Sequence, residues 1–427
     1  MKALKDIFRN SAFFKNVSKL LSINVIVQLV AFGLSPIISR LYSAADFGQL
    51  AVFMSIAGFF IIFATSRFEL ALILPEKDEE AHALVKLSFL INILVSILSF
   101  CLVYLFKESI RTYYRVDFSI TWIYLLPFIV FFSASFFILI NYNNRLKNYN
   151  KQAISQAILG VSNPLSTIAL AVKNGFQFGM IKAVFISNFL GTIFLSKELF
   201  RNKVFSTRVK ISTVLKKYYR FPLFSLPHAL VNFVSNSLPI FLLTPAFGEV
   251  SIGFFTMALG KVFKPINMFG GSIYQVLSKK IIDNIQNKKP IYKQVVKLLK
   301  TLILIGIIPF VLLFIFSPTI FSFVWGEEWF QSGVYLRYLL PWLFLIYLTS
   351  VLSFMPNVLK EQKNALGIEI VHLVLRLLVL LYAVKNNNIK QALILYSLVG
   401  VLILSFTLVW YLSILKKNEL AFNNLTK

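Results

Sequence analysis

Residues 301–321 read TLILIGIIPFVLLFIFSPTIF, an unbroken run without an ionisable side chain. An α-helix gains 1.5 Å per residue, so roughly 20 apolar residues span a hydrocarbon core of roughly 30 Å. Only a helix or a closed barrel satisfies its own backbone there, and a continuous apolar run without alternation selects the helix. Working outward, similar windows bounded by charge or turn residues predict about twelve spans. They fall near 18–39, 47–66, 84–106, 118–140, 153–172, 176–196, 221–245, 250–275, 297–321, 333–355, 365–384 and 391–414. The fold class expected is an all-α integral membrane protein, with no gap wide enough for a soluble domain.

Of the 427 residues 58% are hydrophobic, including 45 Phe, and the formal net charge is +26. In a soluble chain that charge would suggest nucleic acid or anionic lipid. Here the cations occupy short gaps between apolar runs, which marks membrane topology and gives no reason to expect a nucleic-acid partner. With the N-terminus assigned to the cytoplasm, the inner segments carry about 30 Lys and Arg and the outer ones about 7. A multi-pass protein of a cytoplasmic membrane, both termini inside, is the expectation. The basic start MKALKDIFRNSAFFKNVSKL, lacking a cleavage site, is expected along the inner interface. A single cysteine, Cys101, excludes a disulfide or a cysteine-based metal site within one chain.

The basic segment 197–220 lies between the sixth and seventh spans and divides the chain into halves of equal orientation. SPIISRLYSAADFGQLAVFMSIAG (35–58) and LPIFLLTPAFGEVSIGFFTMALG (238–260) each place a proline near a helix end and a glycine at the start of the next span. An even number of spans per half makes such a repeat parallel, about an axis along the membrane normal. The expected organisation is an N-terminal six-helix lobe over 1–200, a basic cytoplasmic linker over 201–220 and a C-terminal six-helix lobe over 221–427.

Six cations fall within or beside spans: Arg67, Lys182, Lys261, Lys264, Arg337 and Arg376. The acids there are Glu69 and Glu369. Charge at bilayer depth is costly, so these cations either snorkel to an interface or line a cavity suited to an anion. Lys261 and Lys264 share a helical face ahead of Pro265. Glu369, His372 and Arg376 form one polar stripe, readable as an ion-pair network or as a titrating group for ion coupling. Asn24 and Gln28 in the first span, and His228, Asn232, Ser235 and Asn236 in the seventh, could bond neighbouring helices or line a path for sugar hydroxyls. Arg67 and Glu69, two apart, do not face each other along a helix and are expected to contact other helices. The acidic run Glu76, Asp78, Glu79 and Glu80 reads as a solvated turn.

No Walker A sequence, HExxH, CxxC, GxSxG or paired outer carboxylates occur, so no enzyme activity is expected. No cofactor is expected either. Uphill transport would draw on an H+ or Na+ gradient, on the consumption of its product or on a partner protein.

The stretch LYSAADFGQLAVFMSIAGFFIIFATSRFELALILPEKDEEA (41–81) resembles the N-terminal signature of the bacterial polysaccharide transporter family, the Wzx-type oligosaccharide flippases. FPLFSLPHALVNFVSNSLPIFLLTPAFGEVSIGFFTMAL (221–259) resembles the start of that family's second lobe. The resemblance implies a MATE-like, two-lobed fold of the multidrug/oligosaccharidyl-lipid/polysaccharide exporter superfamily. It implies a secondary transporter that moves undecaprenyl-pyrophosphate-linked repeat units from the inner to the outer leaflet, for O-antigen of lipopolysaccharide or for capsule. Under it, Lys261, Lys264, Arg376, Arg67, Lys182 and Arg337 would meet the pyrophosphate head group. Asn24, Gln28, His228, Asn232 and Asn236 would line the sugar path, and Glu369, His372 and Glu69 would couple ions. A polysaccharide polymerase and a chain-length regulator are the implied protein partners. A multidrug or metabolite antiporter of the same superfamily, and a non-transporting scaffold of an assembly complex, are the alternatives.

Overall fold

The computed structural model describes residues 12–114, 120–174, 178–286, 290, 292–359 and 361–425. The described residues form helices and connecting turns. Ten helices among them are long and apolar enough to cross a membrane, and Val25–Leu41 is a shorter apolar one. The N-terminal stretch 1–11, expected along the interface, lies outside the described residues.

The chain divides into two compact units, Met1–Val234 and Ser235–Lys427. The first holds α1 (Ala12–Leu41), α2 (Ala44–Thr65), α3 (Asp78–Leu105), α4 (Ile120–Arg145), α5 (Tyr149–Asn174), α6 (Gly179–Arg201) and the short α7 (Ile211–Tyr218). Local sequence sets these boundaries. Ser43 and Asp46 close a capping box at the head of α2, the Ser43 amide donating to Asp46 Oδ2 at 2.9 Å and the Asp46 amide to Ser43 Oγ at 3.3 Å. α2 ends where Ser66 turns left-handed at φ 44° and donates its amide back to Ile62 and Phe63. Asn92 on α3 reaches α4 by donating to Phe131 O and Ser135 Oγ, both at 3.0 Å. At bilayer depth an amide placed so holds two helices in register.

The acidic run is more than a solvated turn. It opens α3, where carboxylates suit the positive end of the helix. Asp78 pairs with Arg145 at 2.8 Å and Glu80 with Lys217 at 2.5 Å, while the Tyr218 hydroxyl donates to Glu80 Oε1 at 3.0 Å. Val214 and Tyr218 are buried with Leu84, Leu139 and Leu199 in one apolar cluster. The basic segment is therefore folded onto the first unit through α7. Glu80 holds the Lys217 ammonium above its usual proton affinity.

Helix α8 (Leu226–Gln286) carries Pro239, Pro245 and Pro265 and is broken at Gly248, whose φ of 81° and ψ of 167° suit glycine alone. The second unit continues with α9 (Tyr292–Trp325), α10 (Phe330–Ser350), α11 (Gln362–Lys385) and α12 (Ile389–Leu425). In α9 the buried positions Val295, Leu299, Leu302 and Gly306 recur at steps of three and four. The other faces expose Leu304, Ile308, Val311, Leu312 and Ile315, an arrangement for lipid as solvent. α10 packs on α9 and α12, and α11 packs on α12.

Candidate functional site

The stripe read from spacing on α11 opens into a cavity of about 270 Å³ inside the second unit. Glu369, His372 and Arg376 line it from α11. Trp342, Thr349 and Ser350 line it from α10, Thr407, Trp410 and Tyr411 from α12, and Asn236 and Phe263 from α8. Residues assigned separately to head-group binding, sugar path and ion coupling thus meet in one chamber.

Arg376 is 3% exposed and sits among aromatic rings. Its guanidinium carbon is 4.6 Å from the Tyr396 centroid and 5.3 Å from that of Trp342, and those two rings meet edge to face at 5.1 Å. A guanidinium stays charged in proteins, and stacking on π faces offsets part of its lost hydration. Its Nη1 donates to Ser235 Oγ at 3.2 Å and Asn236 Oδ1 at 3.5 Å. Both acceptors are neutral, and no acidic side chain among the described residues forms an ion pair with it. Arg376 Nε, His372 Nε2 and Trp342 Nε1 are buried without a hydrogen-bond partner among the described residues. Buried polar groups are nearly always paired, so Arg376 Nε and His372 Nε2, on two residues that line the chamber, are open to a polar ligand there.

Trp342 keeps its position because α12 approaches it at a glycine. A Cβ at Gly400 would collide with the indole ring.

The other expected site residues lie elsewhere. Lys261 and Lys264 belong to the second unit and do not line the chamber; Lys261 Nζ stands 5.3 Å from the Trp325 ring, and Lys264 is exposed. Arg337 donates from Nε to Phe314 O at 2.8 Å and from Nη2 to Ile315 O at 2.9 Å. Phe314 lies four residues before Pro318, which lacks the amide that would have bonded its carbonyl. Arg337 therefore supplies the missing donor. Lys182, half-buried in the first turn of α6, belongs to the first unit with Arg67, Glu69, half-buried Gln28, and exposed His228 and Asn232. The side chain of Asn24 lies outside the described residues.

Arg67 and Glu69 correct an expectation, because they pair with each other at 3.3 Å. The helical argument against that contact does not apply. α2 has already ended, Arg67 is left-handed at φ 61°, and a 3-10 turn over Phe68–Ile73 follows. Sequence reading missed Trp342, Tyr396, Trp410 and Tyr411, whose signal is indistinguishable from that of any aromatic in an apolar helix.

With this geometry described, comparison with known proteins gives the relationship. Residues 37–333, more than half of the chain, match the family described as "Polysaccharide biosynthesis protein". No curated protein matches the chain by sequence. Among solved structures it is similar to the lipid II flippase MurJ in an inward closed conformation, at a TM-score of 0.67 and 16% identity, covering 93% of this chain and 91% of that one. It is similar to an outward-facing multidrug resistance MATE transporter of the MOP superfamily, at 0.59 and 14%, covering 95% and 96%. The Vibrio cholerae MATE transporter VcmN in its bent form is also similar, at 0.54 and 16%, covering 95% and 97%. The fold is thus that of MATE and MurJ transporters, and the chain belongs to the polysaccharide biosynthesis protein family.

Proposed function

We propose that the chain is a flippase that carries undecaprenyl-pyrophosphate-linked oligosaccharide repeat units from the inner to the outer leaflet of a bacterial cytoplasmic membrane. The product would feed O-antigen or capsule synthesis. The observation that carries this reading is the family match of a chain whose membrane-depth cations outnumber its acids. A pyrophosphate needs cations, a glycan needs amides and hydroxyls, and a prenyl tail can remain in lipid while the polar part crosses. MurJ is a lipid II flippase, which supports a lipid-linked cargo.

Lys261 and Lys264 are the cations assigned to the pyrophosphate, being three apart on one face of α8. The protein would act by alternating access and without chemistry on its cargo. An ion gradient, or consumption of the flipped lipid by a polymerase with its chain-length regulator, would set the direction.

Leaflet-selective glycan labelling in cells with and without the protein tests the proposal. Outer-leaflet glycan is expected to vanish on deletion while inner-leaflet glycan accumulates. An unchanged distribution overturns the proposal and favours an exporter of soluble drugs or metabolites, which a resistance assay then detects. In the Lys261→Gln/Lys264→Gln double variant, membrane insertion should persist while export falls at least tenfold, and full export would remove both lysines from the head-group role.

A further inference from the structure

The chamber on α11 differs from a general cationic path in three respects. It is lined by residues of one unit alone, its one fixed positive charge is the buried Arg376, and its walls include Trp342, Trp410 and Tyr411. At about 270 Å³ it is well above the space a single water or ion needs. A single sugar ring is of a size the chamber can take up. Aromatic faces suit the apolar C–H face of a pyranose, while a few convergent polar groups fix its orientation.

The charge decides which sugar. A buried guanidinium facing only neutral acceptors leaves its Nε unmatched, and its planar fork fits a carboxylate through two parallel hydrogen bonds. His372 Nε2 provides a further unmatched position on a residue that lines the same space. Glu369 lines the chamber as well, and a carboxylate there accepts hydrogen bonds from ring hydroxyls.

We propose that this chamber binds one carboxylate-bearing sugar of the transported glycan, with Arg376 taking the carboxylate and the aromatic walls holding the ring. The inference rests on the flippase reading and narrows its cargo to acidic repeat units. Discrimination arises because a neutral sugar leaves the buried guanidinium without its counter-charge, and mismatched polar burial rejects a ligand far more strongly than a missing apolar group does.

The test uses the full chain in lipid nanodiscs, titrated with methyl glucuronide, methyl glucoside and sodium acetate while tryptophan fluorescence is read. Glucuronide is expected to saturate at a concentration at least tenfold below that of glucoside or acetate. Arg376→Lys, which keeps a charge but loses the fork, should abolish that preference. Thr407→Phe fills the chamber while leaving Arg376 in place, and should abolish binding even if the arginine variant fails to fold. An equal response to both glycosides, equal saturation by acetate, or no saturable change overturns the inference. Retained glucuronide preference in a folded Arg376→Lys protein overturns it too. The leaflet assay on the unaltered protein separates the two levels: flipping that persists without glucuronide binding refutes the acidic-sugar site alone.

Discussion

Gly400 and Arg376 both bear on the Trp342 ring, Gly400 by leaving it room and Arg376 by standing 5.3 Å from its centroid. Gly400→Val would drive a side chain into the indole, and overpacking of this kind costs about 1–3 kcal/mol. The expected result is a lowered melting temperature in detergent together with weakened export, whereas an unchanged melting curve would mean that the ring can shift freely. At Arg376 the stripe Glu369–His372–Arg376 was legible, because steps of three and four residues place side chains on one helical face whatever the surroundings. Its partners were not legible. Ser235 and Asn236 lie some 140 positions away, and nothing in local spacing says which α8 face meets α11. Arg67 and Glu69 were misread for a related reason: helical geometry was applied across the point where the helix had already stopped.

Proline explains why a charged residue can serve an element rather than a ligand. Pro318 frees the Phe314 carbonyl, and Arg337 on the next helix donates to it and to Ile315. The Ser35 hydroxyl does the same for Phe32 O, four residues before Pro36, at 2.7 Å. Arg337→Met keeps the apolar stem but takes the donor from these two carbonyls on an exposed, apolar part of α9, where lipid offers no replacement. The expected phenotype is a lower melting temperature with little change in the apparent affinity for cargo. A selective loss of cargo binding at unchanged stability would return Arg337 to the head-group site. The helices themselves were legible from apolar run length, since bilayer thickness is an external ruler. The docking of α7 was not, because a basic segment and an acidic run each read as solvated until the fold sets Lys217 beside Glu80. Glu80→Lys should accordingly release α7 and speed proteolysis within residues 201–220, and Glu80→Lys/Lys217→Glu should slow it again.

At the scale of the molecule the sequence speaks through charge asymmetry. About 30 cations fall in one set of connections and about 7 in the other, and cations near span ends resist translocation, so the first set is assigned to the cytoplasm. The structure supplies the places to probe this assignment. Ser109, in the short helix Lys107–Tyr114 after α3, and Ser212, on α7, are both exposed. By the charge assignment they belong to opposite sides of the membrane. In a Cys101→Ser background, Ser109→Cys should react with a membrane-impermeant maleimide in intact cells, and Ser212→Cys only after permeabilisation. The reverse pattern would invert the protein in the membrane and with it the direction of flipping. Labelling of both sites in intact cells would mean that the α3 span does not separate them. Either result would also relocate Lys86, Arg145 and Lys151, which belong to the cytoplasmic connections of the first unit under the same assignment. The labelling pattern therefore tests at once the orientation of the helices and the side from which a lipid-linked glycan would enter.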